Sequence, residues 1–93
     1  MEFEWDLRKE AENIKKHQIS FLEAIETFSD PLGFALKDDR HSADENRFYW
    51  VGKTGKGRIL TTRYTKRCNR IRIIGSAEWR EFRSLYYEKA ETK

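Results

Sequence analysis

Between Arg58 and Arg72 the chain carries six basic residues and no acid: Arg58, Arg63, Lys66, Arg67, Arg70 and Arg72. Such a stretch is an electrostatic footprint for phosphate or for an acidic protein partner; the plainer alternative is a solvated strand–turn–strand. Arginine meets phosphate through a planar fork of donors, so the strand arginines are the first candidates for contact with an anion and with a transition state. Arg72 leads, followed by Arg47 and Arg63. Each could equally be an exposed strand arginine or half of an ion pair. His17 is a candidate proton donor or acceptor, because histidine is the side chain that ordinarily titrates nearest neutral pH. It would also sit at the end of a helix, where a cation favours the dipole without doing chemistry. Tyr64 and Tyr87 could stack a base, and Tyr87 could donate a proton or merely pack its helix. Trp50 and Trp79 read as core.

Other chemistries fit less well. Cys68, His17 and His41 are far apart and share no metal-ligand spacing. Asp38, Asp39, Asp44 and Glu45 match no calcium loop, and Arg40 and Arg47 stand among them, so a solvated loop is expected. Glu45 could pair with Arg47 or Arg58, or act as a base. The run Lys53-Thr54-Gly55-Lys56 lacks the first glycine and the spacing of a phosphate loop and reads as a hairpin turn. No metal and no cofactor is expected. One cysteine among 93 residues allows no intramolecular disulfide. No signal peptide and no apolar run of membrane-spanning length is visible, so a cytoplasmic protein with no membrane partner is expected. The formal net charge is only +3, so where the charges lie matters more than their sum.

The elements that must position these residues follow from periodicity. One domain, 1–93, is expected, with strands at about 2–5, 33–37, 46–52, 58–65 and 70–75 and helices at about 6–17, 20–29 and 76–90. Asp6 is placed to cap the first helix. Leu7, Ala11 and Ile14 make a narrow apolar stripe that predicts the buried side, leaving Lys9, Asn13 and Lys16 on the opposite side and His17 at the margin. Ser20 and Glu23 form a capping box, Ile19 and Ala24 a staple, and Phe21, Ala24, Ile25 and Phe28 an apolar face that ends at Asp30-Pro31. Ser76 predicts the cap of the last helix, with Trp79, Phe82, Leu85 and Tyr86 inward. In 70–74 the isoleucines share one face and Arg70 and Arg72 the other, which puts both arginines on the open face of the sheet. The fold class expected is α+β in the order β-α-α-β-β-β-β-α, a mostly antiparallel twisted sheet with its helices on one face.

With these elements in place the chain resembles the BrnT toxin family, part of the wider RelE-like group. The matching residues are Phe3-Glu4-Trp5-Asp6, Lys9, Asn13, Lys16-His17, Phe21, Ala24, Phe28, Asp30-Pro31, Asp38, Arg40-His41, Glu45-x-Arg47, Gly52, Gly57-Arg58, Arg72-Ile73-Ile74 and Tyr87. Their order and spacing cover nearly the whole chain. Family members usually follow the last strand with Ile-Ser-Ala-Arg; here the run is Ile74-Gly75-Ser76-Ala77-Glu78. Arg80 or Arg83 is the available replacement for that arginine. The resemblance implies a small endoribonuclease toxin that arrests growth. It also implies a BrnA-like antitoxin, encoded alongside, whose ribbon-helix-helix region binds promoter DNA.

Metal-free RNA cleavage needs a base for the 2′-hydroxyl, cations for the phosphate and an acid for the leaving oxygen. Arg72, Arg47, Arg63, His17 and Tyr87 are the residues expected to serve the reaction. Arg58, Arg70, Lys9, Lys16 and Tyr64 are those expected to hold RNA. The alternative is a binding module of the same fold that holds RNA or an acidic protein without cutting.

Overall fold

The computed structural model describes residues 2–42 and 45–92. Asp44 of the acid loop lies outside the described residues, as does the side chain of His41. The order is β1 (Glu2–Trp5), α1 (Leu7–His17), α2 (Phe21–Glu26), a 3-10 turn (Thr27–Ser29), β2 (Phe34–Lys37), a second 3-10 turn (Asp39–His41), β3 (Arg47–Lys53), β4 (Ile59–Arg67), β5 (Arg70–Ala77) and α3 (Arg80–Glu91). The five strands form one sheet in the order β1-β5-β4-β3-β2. Only β1 runs parallel to its neighbour, so the α+β class and the largely antiparallel pairing are as expected.

Helices cover both faces of this sheet, not one. Phe48, Trp50, Tyr64, Ile71 and Ile73 share a face that packs on Phe21, Ile25 and Phe28 of α2 and its 3-10 extension. Val51 and Ile59 point the other way and bury against Phe82 and Tyr86 of α3. The cause lies in β3, whose residues 48–51 are apolar in both parities; pleating sends them to both sides, so that end of the sheet needs a cover on each.

The two predicted hairpins form. In the β3–β4 turn the Thr54 N–H donates to Arg58 O at 2.8 Å, the Gly57 N–H to Thr54 O at 3.0 Å, and the Gly55 N–H to Glu26 Oε1 at 3.0 Å. Gly57 has φ +86°, open to glycine. These turn amides are spent within the fold, which agrees with a hairpin and not with a phosphate cradle.

Three local expectations change. First, α3 starts at Arg80, because β5 continues through Ser76 to Ala77. Ser76 does not cap a helix; its hydroxyl lies 3.0 Å from that of Thr62 on the neighbouring strand. Second, the capping box is half formed. The Glu23 N–H donates to Ser20 Oγ at 3.1 Å, but the Glu23 carboxylate is drawn away to Arg58 at 2.8 Å. Third, α1 is turned over. Its cap is as expected, with Asp6 Oδ1 accepting from Arg8 N–H at 2.7 Å and Lys9 N–H at 3.3 Å. Yet Leu7 and Ile14 of the apolar stripe are 76% and 45% exposed, while Asn13 from the polar side is only 8% exposed.

What turns α1 over is the edge of β5. β1 pairs with β5 only from Arg70 to Ile73, so the outer edge of β5 beyond that point lacks a strand. The Asn13 carboxamide takes its place: its Nδ2 donates to Ser76 O at 2.9 Å and its Oδ1 accepts from Ser76 N–H at 3.1 Å. A second Nδ2 hydrogen reaches Ile19 O at 3.0 Å, where the chain leaves α1. One side chain thus satisfies three buried backbone groups, which are costly to leave unpaired.

Candidate functional site

Turning α1 over brings its polar side onto the open face of the sheet and creates a cleft of about 310 Å³. Lys9, Glu12, Asn13, Lys16 and His17 form the α1 wall. Tyr49, Thr61 and Arg63 rise from β3 and β4, residues 74–77 form the β5 side, and Trp79 completes the lining. Cross-strand register explains the floor. Tyr49, Arg63 and Gly75 are direct partners across three strands, and a register shift between Arg63 and Tyr64 sets glycine beside the arginine. A Cβ at Gly75 would stand 3.6 Å from Asn13 Oδ1, so a larger side chain there would start on the cleft floor beside the α1 wall.

Two polar groups in this cleft are left wanting. Thr61 is 3% exposed and its hydroxyl has no hydrogen-bond partner among the described residues. Arg63 Nε is likewise buried and without a hydrogen bond; Asp38 Oδ2 stands 3.7 Å from it, an ion-pair contact beyond hydrogen-bond reach. The guanidinium carbon lies 5.7 Å from the centre of the Tyr49 ring, a cation–π contact that fixes its orientation. Lys9, Lys16 and His17 face the cleft exposed, and none forms an ion pair among the described residues. Four basic side chains therefore converge on one hollow with a single carboxylate, Glu12, in its lining.

The predicted residues sort unevenly around this cleft. Arg63, His17, Lys9 and Lys16 meet in it. Arg72 and Arg47 lie on the same open face, both in register with Thr65, one row away from Arg63. Arg72 is already engaged, donating to Glu4 Oε2 at 3.1 Å. That bond, with help from Arg70, holds the Glu4 carboxyl below its usual range. Arg47 Nε is buried with no hydrogen bond among the described residues. Arg70 reaches the open face as parity predicts, but bonds Glu4 at 3.3 Å and lies near Glu2 at 3.8 Å.

Three others lie elsewhere. Arg58 is clamped between Glu78 and Glu23, each at 2.8 Å, and its guanidinium is held in the charged form by both. Tyr64 is buried on the α2 face, stacked on Phe48 at 5.5 Å, and burial raises its hydroxyl pKa; it has no ring face to offer a base. Tyr87 lies on α3 against Tyr86 and Lys53, away from the cleft lining. Glu45 pairs with Arg67 at 3.2 Å, and that bond lowers its pKa; neither Arg47 nor Arg58 is its partner. Among the described residues no three His, Cys, Asp or Glu side chains converge as a metal site would require, and no helix is long and apolar enough to cross a membrane.

Glu12, Tyr49 and Thr61 line the cleft without having been singled out in the sequence, and Trp79 lines it although it read as core. Strand alternation places Tyr49 on the face of Arg47 and Thr61 on that of Arg63, but only the β3–β4 register, which no local pattern reports, sets Tyr49 opposite Arg63. Trp79, expected in the core, is 37% exposed.

Comparison with known proteins identifies the family and the fold. Residues 5–81 match the family described as the ribonuclease toxin, BrnT, of type II toxin–antitoxin systems. Among solved structures, the chain is similar to the 1.1 Å crystal structure of the Brucella abortus ribonuclease toxin, BrnT, with a TM-score of 0.67 and 20% identity, covering 85% of this chain and 96% of that one. No curated protein matches the sequence.

Proposed function

The chain belongs to the BrnT family of ribonuclease toxins of type II toxin–antitoxin systems, and on that premise we propose that it cuts RNA internally, without a metal ion, in the cleft between α1 and the open face of the sheet. The observation that carries this is the convergence of Arg63, Lys9, Lys16 and His17 on one hollow, beside which Arg63 Nε and the Thr61 hydroxyl are buried without a hydrogen bond among the described residues. A buried donor without a partner costs about 1–3 kcal/mol. A phosphate in the cleft would meet the positive charge gathered there and bring an acceptor close to both groups.

The roles follow from the groups. Arg63, with Lys9 and Lys16, stabilises the charge that grows on the phosphate as the adjacent 2′-hydroxyl attacks, forming a cyclic phosphate and breaking the bond to the 5′-oxygen. His17 exchanges the proton; a histidine can both take one from the 2′-hydroxyl and return one to the leaving oxygen. Arg72 and Arg47, one row along the sheet, meet a neighbouring phosphate. Catalysis then rests mostly on preorganised positive charge, which the protein supplies itself.

In the cell this cleavage arrests growth in the cytoplasm until a BrnA-like antitoxin covers the toxin. Promoter DNA is reached only through the antitoxin's ribbon-helix-helix region. Support for the antitoxin comes from family membership, and for its DNA-binding region from the resemblance of the sequence.

The decisive experiment incubates purified protein with RNA in EDTA. Cleavage is expected, with 2′,3′-cyclic phosphate ends. Arg63→Ala should lower kcat/KM by about 100-fold or more when rates are referred to the folded fraction, and Arg72→Ala by less. RNA that stays intact with folded protein, while still binding in a steeply salt-dependent way, would replace this reading with that of a binding module.

A further inference from the structure

Trp79 is an odd residue for its position. It is the N-cap of α3, with extended backbone (φ −106°, ψ 127°), and its side chain makes no capping hydrogen bond. Serine, threonine, aspartate or asparagine there would stabilise the helix by about 1 kcal/mol. Nor does the indole compensate by filling the core, since more than a third of it is exposed. What the fold does is hold the ring still. Tyr49 meets it edge-on with ring centres 5.8 Å apart, and Phe82 packs at 5.6 Å. Tyr49 in turn carries Arg63 over its own ring, so indole and guanidinium belong to one rigid aromatic assembly.

The indole also stands between two hollows. On one side is the cleft of Arg63, Lys9, Lys16 and His17. On the other is a smaller hollow of about 250 Å³ lined by Ile59, Glu78, Arg80 and Arg83. The carboxylate there, Glu78, is occupied by Arg58 at 2.8 Å, while Arg80 and Arg83 have no ion pair among the described residues. A fixed, half-exposed aromatic ring flanked by cations on both sides is the arrangement that binds single-stranded nucleic acid: phosphates meet the cations and a base lies on the ring.

We infer that Trp79 is a nucleobase-stacking subsite, holding the base next to the phosphate bound in the cleft and directing the strand onward past Arg80 and Arg83. This rests on the RNA-cleaving reading of the cleft and adds to it the residue that grips the substrate base. Because every base has an aromatic face, the subsite demands a base and not a particular one.

The test walks a single abasic ribonucleotide along an RNA oligonucleotide and compares wild type with Trp79→Leu and Trp79→Phe. In wild type, one position beside the cut should lose about tenfold in kcat/KM when its base is removed. Trp79→Leu should lose about tenfold on the intact substrate and nothing further at that abasic position, while Trp79→Phe retains most of the activity. An abasic penalty that persists unchanged in Trp79→Leu overturns the inference, as does wild-type cleavage by that variant. The same cycle is run as binding to a 2′-deoxy oligonucleotide, which cannot be cut by 2′-hydroxyl attack. Its result stands even if wild type proves unable to cleave, so loss of the cleavage reading and loss of the stacking subsite are told apart. Should Trp79→Leu fail to fold, tryptophan fluorescence decides: quenching by the oligonucleotide must be present in wild type and lost in Trp79→Phe. Quenching that survives in Trp79→Phe, or is absent in wild type, overturns the inference.

Discussion

Helices α1 and α2 are neighbours in sequence, both capped by a side-chain oxygen, and oriented by opposite rules. α2 puts its apolar residues inward: Phe21 and Ala24 are fully buried, with Ser20 as the cap. α1 puts its apolar residues outward and buries an asparagine. The hydrophobic effect explains α2 completely. It does not explain α1, whose orientation is set by hydrogen bonds to the unpaired edge of β5. The difference teaches what each helix is for. α2 closes the core. α1 completes the sheet where β1 runs out, and in doing so faces Lys9, Lys16 and His17 across the cleft from Arg63.

The comparison can be broken at its strongest point first. Phe21→Ala removes a fully buried ring that meets Trp5 at 6.2 Å in the α2 core. It should cost about 3–5 kcal/mol, read by urea or thermal unfolding. A loss well below that would mean that α2 is not the helix that closes the core.

Asn13→Ala comes next. It strands the N–H and C=O of Ser76 and the C=O of Ile19, and should cost about 2–3 kcal/mol. Unlike Phe21→Ala, it should also lower kcat/KM by more than the loss of folded protein accounts for, because the α1 wall of the cleft is no longer fixed to β5. Asn13→Asp sharpens the point. It keeps an acceptor for the Ser76 N–H and loses both donated bonds, so it should fall short of wild type in activity even under conditions where it is fully folded. Activity that tracks folded fraction alone in both variants would reduce Asn13 to a purely structural residue.

How much of this was legible in the sequence follows from the range of the forces involved. Strand alternation at Ile71 and Ile73, the caps at Asp6 and Ser20, and the turn glycines act within a few residues, and the elements they predict are present. The facing of α1 depends on a contact between Asn13 and Ser76, 63 residues apart, and no local pattern reports it. A stripe of three apolar residues points the wrong way because its small burial gain is outweighed by the hydrogen bonds Asn13 makes at the sheet edge. Ser76 is the same case: serine suits a cap and a buried cross-strand hydroxyl pair alike, and only the partner, Thr62, distinguishes them. The arginines show the limit for function. Arg58, Arg63, Arg70 and Arg72 look equivalent in sequence, and what separates them is which carboxylates the fold places nearby. Glu4, Glu23 and Glu78 hold three of them by direct hydrogen bonds, whereas Arg63 keeps the longer ion pair with Asp38 and lines the cleft.

The smallest effect tests the orientation of α1 most directly. If Leu7 and Ile14 are outside the core, replacing either by glutamine removes little buried apolar area, and glutamine is about as good a helix former as leucine and better than isoleucine. Each substitution should then change stability by no more than about 0.5 kcal/mol, and the cleft should be little disturbed because Lys9, Asn13 and Lys16 occupy the other side of the helix, with His17 at its margin. The opposite facing makes a very different prediction. With the stripe inward, two large aliphatic side chains would leave the core and their replacements would bury unpaired amides, at a cost of several kcal/mol. A double variant, Leu7→Gln with Ile14→Gln, separates these outcomes in one melting curve. Near-wild-type stability with near-wild-type cleavage means that α1 owes its facing to Asn13 and not to its apolar stripe.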